Sequence, residues 1–136
     1  MELLHSSTSI PETSYLIYGQ KNGISDLNLA SGLASNQGFE IQGYVANDGL
    51  GFSVSRAGDI NGDGLSDLII GGPNFSGDTG GVAIIFGNRS ITSTIALSST
   101  GFANNMGYTI IGVDASSYTG ISVSGIGDIN GDGPMM

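Results

Sequence analysis

The chain has 136 residues, enough for one ordinary domain and too few for two, with 39% hydrophobic and only 11% charged residues. Twelve acids against three basic residues give a formal net charge of −9, so no basic patch can form and a nucleic-acid backbone is a poor partner. Cysteine is absent, which removes disulfides, thiolate metal sites and cysteine nucleophiles.

Residues 1–14 are Ser/Thr-rich without periodicity and read as a frayed lead-in. They lack the basic start and apolar stretch of a signal peptide. No apolar run in the chain approaches the ~20 residues of a membrane span. Tyr15-Leu16-Ile17-Tyr18-Gly19 is a short apolar run ended by a Gly/Asn turn cluster, the pattern of a strand. Residues 24–37 read as loop. Phe39-Glu40-Ile41-Gln42 alternates strictly, as in a half-buried strand. Asn47-Asp48-Gly49 marks a turn, and Phe52-Ser53-Val54-Ser55 alternates again. Leu68-Ile69-Ile70 stops at Gly71-Gly72-Pro73, and Val82-Ala83-Ile84-Ile85-Phe86-Gly87 is a further apolar strand. The cycle restarts with Ile95 and Leu97, Tyr108-Thr109-Ile110-Ile111, and Ile121-Ser122-Val123-Ser124. No segment sustains a 3.6-residue period, so no helix is expected. The continuous apolar runs suit sheets covered on both faces, as in stacked antiparallel sheets.

Between two of these strands lies Asp59-Ile60-Asn61-Gly62-Asp63-Gly64-Leu65-Ser66-Asp67. Oxygen-bearing side chains stand at loop positions 1, 3, 5 and 9, with glycines allowing tight turns between them. Calcium takes 6–8 oxygen ligands in irregular geometry. Asp59, Asn61, Asp63 and Asp67 would supply side-chain oxygens, and Leu65 a backbone carbonyl. Without a cation, each close carboxylate pair costs up to ~4 kcal/mol at an effective dielectric of ~20, and ~1 in water. An EF-hand is excluded, because position 12 is Ile70 rather than a bidentate Glu. Transition metals would require His or Cys, and the loop has neither.

The loop recurs. Asp128, Asn130 and Asp132 follow Asp59, Asn61 and Asp63 at an offset of 69 positions, and Gly38-Phe39 recurs as Gly107-Tyr108 at the same offset. Tyr18-Gly19 recurs as Phe86-Gly87 at 68. A constant offset across strands and loops is an internal repeat, with units at about 15–87 and 88–136, the second cut short. Position 9 of the second loop is Met136, which offers no oxygen, so Asp128, Asn130 and Asp132 form an incomplete site. About four strands per unit is the composition of a β-propeller blade. The fold expected is all-β: an incomplete β-propeller of about two four-stranded antiparallel blades in residues 15–136.

These residues resemble FG-GAP repeats, the blades of the integrin α-subunit N-terminal propeller and of many bacterial surface and secreted proteins. Leu50-Gly51 stands where the family has Phe-Gly, Gly71-Gly72-Pro73 where it has Gly-Ala-Pro, and residues 59–67 where it has its calcium loop. The resemblance implies a propeller with Ca2+ in the hairpin between the first two strands of a blade. It also implies an extracellular or cell-surface role in adhesion, or in binding a protein or carbohydrate ligand. Further blades of a longer chain, or self-association, would complete the ring. An accessory propeller beside a secreted phospholipase or carbohydrate-active domain, or a gene fragment without function, are the alternatives.

Nothing else in the chain suggests catalysis. His5 is the single histidine and sits in the lead-in. Glu12 and Glu40 lie in unrelated segments with no visible carboxylate partner for glycosidase chemistry. There is no Gly-x-Ser-x-Gly elbow, so no enzyme is expected. Asn74 and Asn88 begin glycosylation sequons, and Arg56 beside the loop could pair with an acid.

Overall fold

The computed structural model describes residues 11–91, 94–99, 101–102, 105–129, 131 and 133. These form seven strands: β1 (Thr13–Ile17), β2 (Gly38–Gln42), β3 (Ser53–Gly58), β4 (Asp67–Gly72), β5 (Gly81–Ile85), β6 (Ile95–Ala96) and β7 (Gly107–Ile111). Among the described residues there is no α-helix; a 3-10 turn stands at Leu29–Ser31, where the Asn28 side chain accepts the Ala30 N–H.

The strands make two sheets that do not close on one another. One has the order β3-β4-β5-β7 and is antiparallel throughout, the four-stranded blade that the apolar runs imply. The other has the order β1-β2-β6. Here β1 and β2 are antiparallel, but β6 runs parallel to β2, with Ile41 opposite Ile95 and the Leu97 N–H donating to the Gln42 carbonyl at 3.0 Å. The fold is an incomplete β-propeller.

The repeat is reproduced in register. Ile17 faces Gly38 and Leu16 faces Phe39, just as Ile85 faces Gly107 and Ile84 faces Tyr108. A tilted aromatic pair closes both hairpins, Tyr18 on Phe39 at 6.2 Å and Phe86 on Tyr108 at 5.9 Å. Strands β1 and β2 are therefore the counterparts of β5 and β7. Each hairpin needs glycine at its entry, because a Cβ on Gly38 or Gly107 would run into the carbonyl of Leu16 or Ile84.

The core lies between the sheets. Phe39 and Ile41 of β2 pack with Ile70 of β4 and with Ala83 and Ile85 of β5, and Ile95 and Leu97 close one side. Ile41 and Ile70 are fully buried, each such side chain stabilising the fold by about 1.5–3 kcal/mol. Strand β5 buries Ile84 as well as Ile85, so both of its faces are covered, as its unbroken apolar run requires.

Some boundaries differ from the sequence reading. Strand β1 begins at Thr13, and Glu12 and Ser14 are buried, so these three residues belong to the folded unit rather than to a frayed lead-in. Residues 121–124 form no strand. They lie alongside β3, where the Gly120 carbonyl accepts the Ser53 hydroxyl at 2.7 Å and the Gly125 N–H reaches Ser55 Oγ at 3.3 Å. Those side-chain bonds replace a backbone ladder, so alternation alone did not make a strand.

Candidate metal centre

Residues 59–66 connect β3 to β4, so the loop is the tip of a β-hairpin, as its flanking strands predicted. Pairing shifts by one residue between Arg56 and Gly58, a bulge that precedes the loop. Gly62 and Gly64 take φ of 74° and 83°, a conformation side chains disfavour, and this turns the chain tightly enough for alternate side chains to face the same backbone.

The loop side chains direct their oxygens at loop N–H groups. Asp59 accepts the Asp63 N–H at 3.0 Å on one oxygen and the Gly64 N–H at 2.8 Å on the other. Asn61 Oδ1 shares the Asp63 N–H at 3.1 Å, and Asp63 Oδ1 accepts the Leu65 N–H at 2.8 Å. The Asn61 amide donates to Asp63 Oδ2 at 2.9 Å. These are nested Asx turns, in which each acid holds the backbone two to five residues ahead of it. A carboxylate oxygen that accepts one N–H keeps a second lone pair, so Asp59, Asn61 and Asp63 retain acceptor capacity toward a cation. The donor set is all oxygen and anionic, which suits a hard ion. Among the described residues, however, no three His, Cys, Asp or Glu side chains gather into one cluster able to hold an ion.

Asp67 behaves differently from its loop partners. It is buried, whereas Asn61 and Asp63 are exposed. One of its oxygens accepts the Ile60 N–H at 2.6 Å, and the other accepts the Gly87 N–H at 2.8 Å from the end of β5. It thus pins the start of the loop to the next hairpin. Leu65, expected to offer a carbonyl, is held through its N–H by Asp63. Arg56 pairs with the Ser66 hydroxyl at 2.8 Å rather than with an acid. Leu65 and Ser66 also form one wall of a cleft of about 240 Å³ floored by Leu16, Phe39 and Ile85 and rimmed by Arg89.

In the second loop Asp128 repeats one of the two Asp59 bonds. Its oxygens accept the Gly131 N–H at 2.7 Å and the Gly133 N–H at 3.2 Å, the latter the counterpart of the Gly64 bond. Asn130, Asp132 and Met136 lie outside the described residues, as does His5. Asn74 and Asn88 are both exposed, and Asn88 Oδ1 accepts the Ser90 N–H.

One polar pair was not foreseen. Glu12, for which the sequence shows no carboxylate partner, lies beside Asp48, and both are buried. Glu12 Oε2 accepts the Asp48 N–H at 3.1 Å. Asp48 in turn accepts N–H groups of Tyr44 at 2.8 Å, Val45 at 3.4 Å and Leu50 at 3.0 Å. Burial pushes the Asp48 carboxyl above its ordinary pKa, and Glu12 adds to this, against the three N–H bonds that lower it. The pair holds the 44–50 turn that leads into β3. It sits at the end of the β1–β2 hairpin, where the Gly43 N–H meets the Glu12 carbonyl. The buried Ser14 hydroxyl donates to the Leu50 carbonyl at 3.4 Å, beside the Leu50 N–H that Asp48 holds.

A search of curated proteins found no match to this chain. A family model does match: residues 51–85 fit the FG-GAP repeat. The matched stretch covers β3, the Asp/Asn/Gly loop, β4 and β5, the elements around which the blade is built. Residues 51–85 are thus similar to an FG-GAP repeat, and the likeness is shown for that stretch of the chain.

Proposed function

We propose that this chain is a calcium-binding, non-catalytic propeller segment that acts outside the cell or at its surface, in adhesion or in holding a protein or carbohydrate ligand. The loop of residues 59–67 carries the reading: an all-oxygen, anionic donor set on the hairpin of a matched FG-GAP repeat. Asp59, Asn61 and Asp63 hold the ion with the Leu65 carbonyl, and Asp67 fixes the hairpin behind them. Calcium neutralises the local acidity and stiffens the turn. Asp128, Asn130 and Asp132 make a weaker site. The surrounding loops, not the metal, contact the ligand, because fold does not dictate function in propellers.

Calorimetric titration with calcium and with magnesium, alongside thermal melts in EDTA and in calcium, tests this. Saturating calcium at about 100 times Kd stabilises by about 2.7 kcal/mol. That is a rise in Tm of about 10 °C for a domain of this size. Asp63→Ala removes both the heat and the rise. A chain that shows neither in its unaltered form has no such site.

A further inference from the structure

The internal repeat leaves one contact made once and its counterpart unmade. Strand β2 is the outer strand of its hairpin, and the Ile95-Ala96-Leu97 segment of the next unit pairs along its free edge. The side chains Phe39 and Ile41 then lie between β5 and that segment, and are 6% and 0% exposed. Strand β7 is the counterpart of β2, with Tyr108 and Ile110 in place of Phe39 and Ile41. Among the described residues no strand pairs with its outer edge. Tyr108 and Ile110 are 40% and 49% exposed. Residues 120–125 lie against β3, through the Ser53 and Ser55 bonds, and against β4 and the start of β5, where Gly120 closely approaches Gly71 and Gly81.

The complementary half is present on the same chain. Leu27-Asn28-Leu29 is the repeat counterpart of Ile95-Ala96-Leu97, 68 positions earlier and with the same apolar alternation. Each is followed directly by a tight turn, Leu29–Ser31 in one unit and the Ser98–Gly101 bridge in the other. Leu27 and Leu29 are only half-buried. Between them and Tyr15 and Ile17 of β1 runs an open groove of about 630 Å³, also lined by Ile24. Tyr15 and Ile17 are the counterparts of Ala83 and Ile85. The groove therefore stands where, one unit later, β2 is inserted.

The geometry points to head-to-tail association between copies of this chain, in which β7 of one copy enters the Tyr15–Leu29 groove of the next. Leu27-Asn28-Leu29 pairs in parallel with β7, Leu27 beside Ile110 and Asn28 beside Ile111, in the register of Ile95 and Ala96 on β2. The interface between units inside the chain is used again between chains. An unpaired strand edge beside exposed apolar side chains is a template for such pairing. Because the two surfaces differ, the contact is heterologous and adds copies until a ring closes. The inference stands on the repeat geometry and does not depend on calcium being the bound ion.

The chain has no cysteine, which allows a direct test. Asn28→Cys and Ile111→Cys are prepared separately; both positions are exposed. Mixed under mild oxidation, the two chains are expected to give a 28–111 disulfide at least tenfold in excess of either homodimer. Statistical proportions of the three disulfides, or none, overturn the proposal. Sedimentation equilibrium of the unaltered chain gives the second readout. It is expected to show species above the 13.8 kDa monomer that grow with concentration. Leu27→Asp with Leu29→Asp in one chain, and Ile110→Asp in another, each give monomers, and mixing them restores a dimer. An unaltered chain that stays monomeric, or variants that fail to complement while keeping their β-sheet circular dichroism, refutes it. A next blade seated on β7 within a longer chain would appear as such a monomer.

Discussion

Asp67→Ala separates the two tasks of the loop. The substitution leaves the Ile60 and Gly87 N–H groups without their acceptor. A buried donor left unpaired costs about 1–3 kcal/mol. Both bonds are partly buried, so the lower half of that range applies and the total is about 2–4 kcal/mol. For a domain of this length, 1 kcal/mol moves Tm by roughly 3–5 °C, giving a fall on the order of 6–20 °C. Asp63 is exposed and bonds only within the loop. Asp63→Ala should therefore move Tm little in EDTA and lose only the calcium-dependent rise. Thermal melts of both variants in EDTA distinguish the two roles. If Asp67→Ala melts within about 2 °C of the unaltered chain, the bracket assigned to Asp67 is wrong. If Asp63→Ala is destabilised as strongly in EDTA, the division of labour is wrong.

Two further expectations follow from buried features. The raised Asp48 carboxyl means that the folded chain holds its proton more tightly than the unfolded one, so stability is full below the ordinary value of 3.8 and falls as pH rises through the raised folded value. Urea titrations from pH 3.5 upward should show this decline superimposed on the other titrations, and Glu12→Gln should shrink it; an identical pH profile in Glu12→Gln would remove Glu12 from the pair. Gly71→Ala places a methyl group against the Gly120 carbonyl and Ser53 Oγ. Overpacking of this kind costs about 1–3 kcal/mol, and a variant with an unchanged urea midpoint would show that residues 120–125 do not pack on β4.

The features legible in the sequence were local or repeated. The loop's Asp/Asn/Gly spacing identified the hairpin, because each residue type there has one conformational use. The offset of Gly38-Phe39 from Gly107-Tyr108 marked an internal repeat, and the matched register of β1–β2 and β5–β7 accords with it. Contacts between distant segments were not legible. Glu12 and Asp48 meet only once β1 and β2 have paired, and neither neighbourhood announces a buried acid. Ile95 and Leu97 read as the start of the second unit, yet pair with β2 of the first, a choice set by which edge is free in three dimensions. Asp67 occupies a ligand position by spacing; that its oxygens also accept the Ile60 and Gly87 N–H groups, the latter from beyond the end of a different strand, was not legible there.

The short strand β6 has a consequence for how the chain folds. Its two residues belong by sequence to one repeat and by hydrogen bonding to the sheet of the other. A cut at the sequence boundary would strip a sealing strand from one sheet and leave Ile95 and Leu97 of the other unit uncovered. In a solenoid, stability divides into repeat terms and interface terms. Here the interface term includes a traded strand, so neither unit reaches its own minimum before its neighbour is in place. Fraying from one end is correspondingly opposed, and the two units should melt in a single transition.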